Sequence, residues 1–340
     1  MISNTFTKGL ALAASTMLAV AGGASAETIN LKLAHFLPTA NGMHADFMEP
    51  WARELEQCSQ GAVKVEIFPG GTQLGNPTKL YDAVRAGAVD IAHGLSGLPG
   101  GRFERTRIAE LPFLFDNADE ATRAIWSVFP DHLAAEFPGV KVLALHAHNP
   151  GQFHTTTATV KTPADLNGLR LRFPTEAAAA MLGALGANPI GLPPGAVYEN
   201  AEKGVIDGAV FTWDTMASFN LAEVMKHHLD AKAYVTTFWF GINQATYDGL
   251  PEAVKTCVDA SSGDALVDKF GDWWNLWDKA GHDRVLGEGH EIITLSDEER
   301  AQWAADLQPM TAAYIAALEA KGIDDAQAIY DALKSYADAH

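Results

Sequence analysis

The fold class follows from two short runs, TINLKLA at residues 28–34 and VKVEIF at residues 63–68. Apolar and polar side chains alternate in both runs, which is typical of β-strands with one buried face. Between them, residues 44–57 carry apolar side chains at helical spacing, so we predict an amphipathic helix there. Proline and glycine at residues 69–71 end the second strand. A β-α-β start of this kind predicts an α/β protein.

The pattern of residues 81–92 recurs at residues 198–209. The matched pairs are Tyr81 with Tyr198, Val84 with Ala201, Gly87 with Gly204, Val89 with Ile206, Asp90 with Asp207 and Ala92 with Ala209. In each copy we predict a helix ended by glycine, then a tight turn and a strand, because glycine adopts the left-handed backbone conformation without a Cβ clash. The recurrence predicts two related α/β lobes.

The length of 340 residues is sufficient for two lobes with a core each. We predict that lobe 1 comprises residues 27–150 and roughly 238–275, and that lobe 2 comprises residues 151–237 and roughly 276–340. Apolar spacing over residues 253–286 predicts one long helix that could run across both lobes.

Residues 1–26 have the features of a secretory signal peptide. Lys8 precedes an apolar run over residues 10–20, and Ala24-Ser25-Ala26 has the small-residue spacing that signal peptidase accepts. Cleavage at this point would start the mature chain at Glu27. The alternative is an N-terminal membrane anchor, although the run is short and rich in alanine for a bilayer span.

The chain is acidic, with 42 Asp and Glu residues against 24 Lys and Arg residues and a formal net charge of −18. Such a surface repels phosphate backbones and anionic lipids, so we predict no nucleic-acid partner. An anionic small molecule is not excluded, because a few basic groups in a site can oppose the net charge locally.

Cys58 and Cys257 are the two cysteines of the sequence. After export to an oxidising compartment they could form a disulfide. Two buried free thiols are the alternative, because the sequence does not give the distance between the two Cα atoms.

Motifs of catalysis and of metal binding are weak. The sequence has no G-x-S-x-G, no H-E-x-x-H and no nucleotide-binding glycine motif, and the glycine-rich residues 94–101 lack the Lys-Ser/Thr ending of a phosphate loop. His146, His148 and His154, with the pair at 227–228, could bind zinc. Because His146 and His148 continue the alternation of a predicted strand, we interpret them as ordinary strand residues. We therefore predict no metal and no cofactor, and an enzyme with a dispersed catalytic set is the alternative function.

Arg172 lies where α/β proteins bind ligands. It follows an alternating strand over residues 169–173, which Pro174 ends, and a helix is predicted from Glu176. The carboxyl ends of strands and the N-termini of helices both favour anionic ligands. A guanidinium offers a planar fork of donors that matches a carboxylate. A receptor for a small acid is thus predicted, with a solvated surface arginine as the alternative.

Several segments together resemble the extracytoplasmic solute receptors of TRAP (tripartite ATP-independent periplasmic) transporters. They are residues 69–75, 110–113, 165–174, 185–189 and 204–208, and the resemblance runs from about Leu31 to the C-terminal helices. It implies a two-lobed α/β clamshell of the periplasmic-binding-protein type, with a long helix spanning both lobes. It also implies a periplasmic location, a carboxylate ligand and the membrane permease subunits of a TRAP transporter as partners.

The resemblance also implies a set of site residues. The hallmark arginine of the family falls on Arg172. Other ligand-facing positions fall on Phe36, on Gly94 or Leu95, on Phe211 and, for a second polar group, on Gln152.

Further candidates for the site come from the residues themselves. Trp213 and Phe240 could sandwich an aromatic ring, together with the two phenylalanines already named. His154 could meet a hydroxyl or oxo group of the ligand, as could Gln152. Arg102 is a candidate second guanidinium, with a solvent-facing loop arginine as the alternative, and Tyr234 and Asn243 are candidates for the rim.

Departures from the family pattern indicate the kind of acid. Receptors for sialic acid have Asn, Glu, Arg and Asn where this chain has Phe36, Leu95, Gln152 and Phe211. Sugar hydroxyls buried against these side chains would be left unpaired, which is unfavourable. We therefore predict a small monocarboxylate with an aromatic or otherwise apolar body, and a more polar sugar acid is the alternative ligand.

Overall fold

The computed structural model describes residues 1–2 and 28–340. The predicted signal peptide lies outside the described residues, apart from Met1 and Ile2. The strands of the described part are β1 (Ile29–His35), β2 (Val63–Phe68), β3 (Ile91–Leu95), β4 (Val140–Ala147), β5 (Gln152–Thr155), β6 (Arg170–Phe173), β7 (Asn188–Gly191), β8 (Gly208–Phe211), β9 (His227–Asp230), β10 (Thr237–Asn243) and β11 (Glu291–Thr294).

Helices cover both faces of the sheets that these strands form. They are α1 (Glu49–Cys58), α2 (Leu80–Arg85), α3 (Ala118–Val128), α4 (Glu176–Ala184), α5 (Val197–Glu202), α6 (Asp214–Ser218), α7 (Gln244–Gly249), α8 (Glu252–Ala260), α9 (Asp264–Gly287), α10 (Asp297–Ala320) and α11 (Ala326–Ala339). Short 3-10 and π-helical turns connect several of them, such as Met43–Met48 directly before α1. The predicted β-α-β start is thus formed by β1, α1 and β2.

Two sheets form the centres of two lobes. The sheet of lobe 1 has the strand order β2-β1-β3-β10-β4, and the sheet of lobe 2 has the order β11-β9-β5-β8-β6-β7. In lobe 1, β1 pairs in parallel with β2 and β3, whereas β10 runs antiparallel to β3 and β4. In lobe 2, β6 pairs in parallel with β7 and β8. The prediction of a two-lobed α/β fold is confirmed.

The repeated sequence pattern forms the same structure in both lobes. Helices α2 and α5 are each followed by a glycine with positive φ, 74° at Gly87 and 66° at Gly204. The next acidic residue, Asp90 or Asp207, then accepts a hydrogen bond through Oδ2 from a backbone N–H of β1 or β6, at 2.8 Å in both lobes. The carboxylate thereby holds the incoming strand in register with its parallel neighbour.

Helix α9 connects the two lobes. Phe270 and Trp274 pack into the core of lobe 1, and Val285 packs into the core beneath the sheet of lobe 2. The predicted helix over residues 253–286 is divided in the structure, because the chain turns between α8 and α9 at Gly263, which has a φ of 61°.

Helix α10 also passes between the lobes, in the opposite direction. Trp303 and Leu307 belong to the core of lobe 2, whereas Ile315 and Leu318 belong to the core of lobe 1. Helix α11 follows and packs against α3 in lobe 1. The C-terminal residues therefore lie with lobe 1, which differs from the sequence division that assigned all of residues 276–340 to lobe 2.

Two extended segments also connect the lobes. The first lies between the end of β4 at Ala147 and the start of β5 at Gln152, and the second lies between Asp230 and Thr237. Backbone hydrogen bonds join them, from Gly151 N–H to the carbonyl of Tyr234 at 2.6 Å and from His148 N–H to the carbonyl of Thr236 at 3.4 Å. These paired segments form the hinge strands of the clamshell.

The two cysteines form a disulfide. The bond between Cys58 and Cys257 joins the end of α1 to α8, with the two Cα atoms 5.8 Å apart. Both helices belong to lobe 1, so the bond stabilises that lobe and leaves the hinge free. Of the helices in the described part of the chain, none combines the length and the apolar character that a bilayer crossing needs.

Candidate functional site

A cavity lies between the lobes, beside the hinge strands. Its apolar wall comes from both lobes and consists of Phe36, Leu37, Met43, Leu95, Pro174, Pro194, Phe211, Phe219, Phe238 and Trp274. Its polar side chains are His148, Arg172, Thr212, Asp214, Thr215, Tyr234 and Thr236. Ligand cavities of proteins have this mixture of a wide apolar wall and few polar groups.

Arg172 is placed in the cavity by the end of β6. The strand finishes one residue later, and the Thr175 hydroxyl then caps α4 by accepting a hydrogen bond from Ala178 N–H. In the sheet, Arg172 pairs with Ile190 on one side and with Ala209 on the other, so its backbone is held on both edges. The arginine thus stands on a rigid element at the carboxyl edge of the sheet.

The guanidinium of Arg172 is buried and lacks a counter-charge. The residue is 2% exposed, and among the described residues no carboxylate lies within 4.0 Å of it. Nε donates to the carbonyl of Leu192 at 3.0 Å, and Nη1 donates to the carbonyl of Val210 at 3.4 Å. Burial lowers the pKa of this guanidinium to about 10. The remaining N–H groups are available to an anion, which would relieve the unfavourable burial of the charge.

Phe211 supports the guanidinium from one side. Its ring centroid lies 4.0 Å from Cζ of Arg172, within the range of a cation–π contact. The contact holds the planar fork in one orientation without using any of its N–H donors. The arginine is therefore oriented in advance for a planar acceptor such as a carboxylate.

The second hinge strand forms a wall of the cavity. Tyr234, Thr236 and Phe238 all line it, and their spacing of two residues is that of one face of an extended segment. Arg172 and Tyr234 are close enough that each shifts the pKa of the other, and burial raises the pKa of the Tyr234 hydroxyl. Tyr234 thus places its hydroxyl near Arg172, whereas Phe238, at the other end of the wall, belongs to β10 of lobe 1.

Apart from the Thr236 hydroxyl, the remaining polar groups of the cavity are engaged by the protein. His148 Nε2 accepts from Thr236 N–H at 3.0 Å, and its Nδ1 bonds the carbonyl of Asn149, so the ring is neutral with both nitrogens satisfied. Burial lowers the pKa of His148 to about 4. The Thr215 hydroxyl donates to the carbonyl of Thr212 at 2.7 Å, and the Thr212 hydroxyl donates to Asp214.

Four of the ten residues predicted for the site lie together around this cavity. They are Arg172, Phe36, Leu95 and Phe211. They come from the ends of β1, β3, β6 and β8, or from the residue directly after the strand. The strand ends of both lobes therefore meet at the cavity.

Three of the other predicted residues lie around a different cavity or behind the sheet of lobe 2. Gln152 uses its amide within the hinge, donating to the carbonyl of Pro150 and accepting from Lys232 N–H. Trp213 lines a second, polar cavity together with Gln152, because β8 ends at Phe211 and the chain then turns into α6. His154 packs against Trp213 with ring centroids 5.0 Å apart and does not line the cavity of Arg172.

The last three predicted residues belong to lobe 1 and do not line the cavity of Arg172. Arg102 donates to Asp82 at 2.8 Å, with its guanidinium over the ring of Tyr81. Gly94 accommodates an indole from β10, since a Cβ there would lie 2.4 Å from Cζ2 of Trp239. Phe240 is enclosed in the core, two residues beyond Phe238, which is the ring that reaches the cavity.

Sequence reasoning missed most of the hinge wall. The sequence places Tyr234 only at the rim and does not point to Thr236 or Phe238. Asn243, the other rim candidate, does not line this cavity and donates to the carbonyls of Val84 and Arg85 in lobe 1. The run of β-branched residues from Val235 to Thr237 is a signal for an extended segment, which places every second side chain on one face. Trp274 gave no such signal, since its place depends on how α9 crosses the lobes.

The histidines form buried pairs. His93 and His146 lie 2.9 Å apart between their Nε2 atoms, and His154 and His228 lie 2.7 Å apart between their Nδ1 atoms. Within residues 1–2 and 28–340, no group of three His, Cys, Asp or Glu side chains has an arrangement that could hold a metal ion. Burial lowers the pKa values of these four histidines, so they are neutral ring pairs within the core.

Hydrogen bonds across the cleft hold the lobes together, and two of them lie beside the cavity. Asn41 of lobe 1 donates through Nδ2 to Asp214 of lobe 2 at 3.0 Å. Arg107 of lobe 1 is fully buried and donates through Nη2 to Glu176 at the start of α4, also at 3.0 Å. The structure is therefore that of a clamshell with its lobes in contact.

Two lobes closed over an apolar cavity that contains one buried, uncompensated guanidinium define a solute receptor of the periplasmic-binding-protein class. The chain belongs to the bacterial extracellular solute-binding proteins of family 7 (DctP), whose family model matches residues 33–317. It is a TRAP-type extracytoplasmic solute receptor, as the resemblance predicted, and this is a family of transport proteins rather than of enzymes.

Solved structures of TRAP solute-binding proteins are similar over nearly the whole chain. One from Rhodoferax ferrireducens T118, in complex with copurified benzoate, has a TM-score of 0.88 and 30% sequence identity and covers 92% of this chain and 98% of its own. Another, from a marine metagenome and described as specific for aromatic acid ligands, was co-crystallised with 3-hydroxybenzoate. It has a TM-score of 0.87 and 33% identity and covers 92% of this chain and 98% of its own.

Among curated relatives, the 2,3-diketo-L-gulonate-binding periplasmic protein YiaO of Escherichia coli K12 is 31% identical over 221 residues. That alignment covers 62% of this chain and 65% of the relative. Its ligand, by name, is a polar sugar acid, whereas the two structures above contain aromatic acids. The family membership therefore leaves the ligand class open, and the cavity itself has to indicate it.

Proposed function

We propose that this protein captures a small monocarboxylate with an aromatic or otherwise apolar body in the periplasm and delivers it to the membrane permease subunits of a TRAP transporter. The observation that carries the proposal is Arg172, a buried guanidinium in a mostly apolar cavity, with no carboxylate of the described residues within 4.0 Å. A single positive charge at one end of an apolar space matches a single carboxylate at one end of an apolar body.

Arg172 and Tyr234 would hold the carboxylate. Nη1 of Arg172 has one N–H left after its bond to Val210, and Nη2 donates to none of the described residues. The fork can therefore donate to both carboxylate oxygens. The Tyr234 hydroxyl lines the same cavity and forms no hydrogen bond with the described residues. Each charge-assisted hydrogen bond of this kind contributes about 1.5–3 kcal/mol.

The apolar wall would hold the body of the ligand. Phenylalanine side chains from three strand ends, Phe36, Phe211 and Phe238, surround the space beside the arginine. Burying an aromatic ring there contributes roughly 25 cal/mol for each Å² removed from water. After the costs of association, submicromolar affinity is reachable for a ligand of this size.

A polyhydroxylated acid fits this wall less well. The hydroxyls of Thr212 and Thr215 donate within lobe 2, and both ring nitrogens of His148 are bonded to the backbone. Few partners are therefore available for the several hydroxyls of a sugar acid, and each unpaired hydroxyl is costly to bury. The similarity to two receptors that contain aromatic acids, at 30% and 33% identity, supports the same ligand class.

The periplasmic location and the permease partner rest on the family and on the N-terminal sequence. Extracytoplasmic receptors of this type are matched over residues 33–317. The charged and apolar pattern of residues 1–26 supports export by a cleaved signal peptide.

The test is ligand binding by calorimetry and thermal shift, with Arg172→Ala and a control on the same strand, Arg170→Ala. We expect benzoate to raise the melting temperature of the wild type, because it binds only the folded state. Arg172→Ala should lose at least about 100-fold in affinity, since two charge-assisted hydrogen bonds are removed. Its melting temperature without ligand should change little.

The control removes an arginine that is paired with Asp207 at the protein surface and does not line the cavity. We expect it to bind within about threefold of the wild type. A shift with glucuronate or 2,3-diketogulonate and none with any aryl acid would show that the ligand class is wrong. A large fall in melting temperature for Arg172→Ala would show that Arg172 is structural.

A further inference from the structure

Three threonines line the cavity, and Thr236 differs from the other two in that its hydroxyl is unpaired within the described part of the chain. The hydroxyls of Thr212 and Thr215 are engaged, with Asp214 and with the carbonyl of Thr212. Thr236 is 1% exposed, and its hydroxyl oxygen forms no hydrogen bond with any described residue. A buried hydroxyl without a partner is unfavourable by about 1–3 kcal/mol, so its presence beside a ligand cavity calls for a function.

The backbone of Thr236 is held firmly. Its N–H donates to Nε2 of His148 at 3.0 Å, and its carbonyl accepts from His148 N–H. These two bonds join the hinge strands to each other. The hydroxyl is therefore presented from a fixed position, as a specificity group requires.

The neighbours of Thr236 indicate which part of a ligand it would face. On the same face of the hinge strand, Tyr234 precedes it on the side of Arg172, and Phe238 follows it in lobe 1. A ligand with its carboxylate at Arg172 and its ring towards Phe238 would lie along this face. Thr236 would then face the edge of the ring, or the atom between the ring and the carboxylate.

We infer that the Thr236 hydroxyl binds a second oxygen of the ligand, a hydroxyl or oxo group on the aromatic ring or next to it. This inference rests on the proposed function and narrows the ligand class to hydroxylated or oxo-substituted aryl acids. A threonine hydroxyl both donates and accepts, so it pairs with either kind of oxygen. An unsubstituted ring leaves it unpaired, and the site therefore discriminates against that ring.

The experiment compares two affinities, for benzoate and for the most tightly bound of a panel of substituted acids. The panel consists of the three monohydroxybenzoates, mandelate and phenylglyoxylate, and the readout is the ratio of the two Kd values. In the wild type, we expect the substituted acid to bind about fivefold to tenfold more tightly than benzoate. Thr236→Val, which keeps the shape, should abolish most of this preference and leave benzoate within about threefold.

Two further variants keep the result interpretable. Thr236→Ser retains the hydroxyl and should retain the preference, even if the affinity for both acids changes. Thr215→Val removes a cavity hydroxyl that is already engaged with Thr212, so it should change both Kd values by the same factor. Both expectations concern the ratio of the Kd values for benzoate and the substituted acid. A general loss of stability does not alter this ratio.

Other outcomes overturn the inference in distinguishable ways. Equal binding of benzoate and the substituted acids by the wild type would show that Thr236 does not bind a second oxygen of the ligand. Weaker binding of both acids by the same factor in Thr236→Val would show the same. In both cases the proposed function stands, because aryl acids still bind. If no aryl acid binds to the wild type, the proposed function and the inference fall together.

Discussion

Arg172 and Glu110 are two buried charged groups near the cleft, and their surroundings differ. Arg172 lacks a carboxylate partner among the described residues and faces the cavity. Glu110 is fully buried, accepts two hydrogen bonds from Thr237 through Oε1, and is close to the Arg107 guanidinium. Its second oxygen, Oε2, forms no hydrogen bond within the described part of the chain. The arginine thus depends on a ligand for its counter-charge, whereas the glutamate depends on a proton.

Glu110 gives a prediction about stability and pH. Burial raises the pKa of Glu110 to about 7, against the ordinary value of 4.5 that it has in the unfolded chain. Between these values the folded protein binds a proton that the unfolded chain does not, so the free energy of unfolding decreases as the pH rises through this window. In the wild type, Glu110 should lower the free energy of unfolding by up to about 3 kcal/mol between pH 5 and pH 8. Glu110→Gln should lack this contribution.

Urea denaturation of both proteins at the two pH values measures this difference. The glutamine keeps an oxygen acceptor for Thr237, so its own stability should vary less with pH. An identical pH dependence of the two proteins would contradict the role given to Glu110.

Some of the individual cavity residues could be predicted from the sequence and others could not, for a physical reason. Arg172 was predictable because a strand end followed by proline and a helix start is visible in the sequence. Phe238 and Phe240 are both apolar residues of one strand, and the choice between them depends on how far β10 extends beyond the cleft. That distance is set by the packing of two lobes, which local patterns do not contain.

Among the elements, α9 comes into close contact with lobe 2 at Gly281. A Cβ at this position would lie 1.7 Å from the carbonyl oxygen of Trp213 and 3.1 Å from the Cα of Asp214. These are backbone atoms at the start of α6, beside the cavity, and they cannot move without displacing that helix. The contact therefore fixes the position of the connecting helix on lobe 2.

We predict that Gly281→Ala lowers the free energy of unfolding by about 1–3 kcal/mol, because it overpacks this contact. It should also weaken the binding of an aryl acid, since Asp214 and Thr215 line the cavity. Gly287→Ala is the matched control on the same helix, where a Cβ would meet nothing within 4 Å. Chemical denaturation and calorimetry compare the two variants, and equal effects would refute a specific role for Gly281.

The positions of helices and strands were easier to predict than the surfaces against which they pack. The β-α-β start and the two glycine-ended helices followed from local spacing, because apolar periodicity and glycine conformation act over a few residues. The break before α9 was missed, since the apolar spacing continues on both sides of Gly263. The course of α10 was missed as well, because periodicity shows that a helix has a buried face but not which core covers it.

At the scale of the whole molecule, the contacts across the cleft favour the closed arrangement. Arg107 has no solvent exposure, whereas the side chain of Glu176 is 51% exposed. Breaking this pair leaves a buried guanidinium with less compensation, which is more costly than the loss of a surface ion pair. The pair joins the lobes directly beside the strand end that carries Arg172.

We predict that Glu176→Gln increases the dissociation rate of a bound aryl acid by about threefold to tenfold, because the closed arrangement loses one of its bonds. The association rate should change little, since the open form does not contain the pair. Stopped-flow displacement of the ligand measures both rates. Glu199→Gln is the control, because Glu199 pairs with Lys203 within one exposed helix of lobe 2. A faster release in the control as well would point to a general charge effect instead.

The burial of the cavity has a practical consequence. Side chains from both lobes line it, and nearly all of them are buried. A bound ligand therefore dissociates when the two lobes open, and dilution of the buffer does not speed up this step. Protein isolated from cells would carry its natural acid through chromatography and dialysis, and denaturation followed by refolding is the step that would empty it. Mass spectrometry of the released material could then identify the physiological cargo directly.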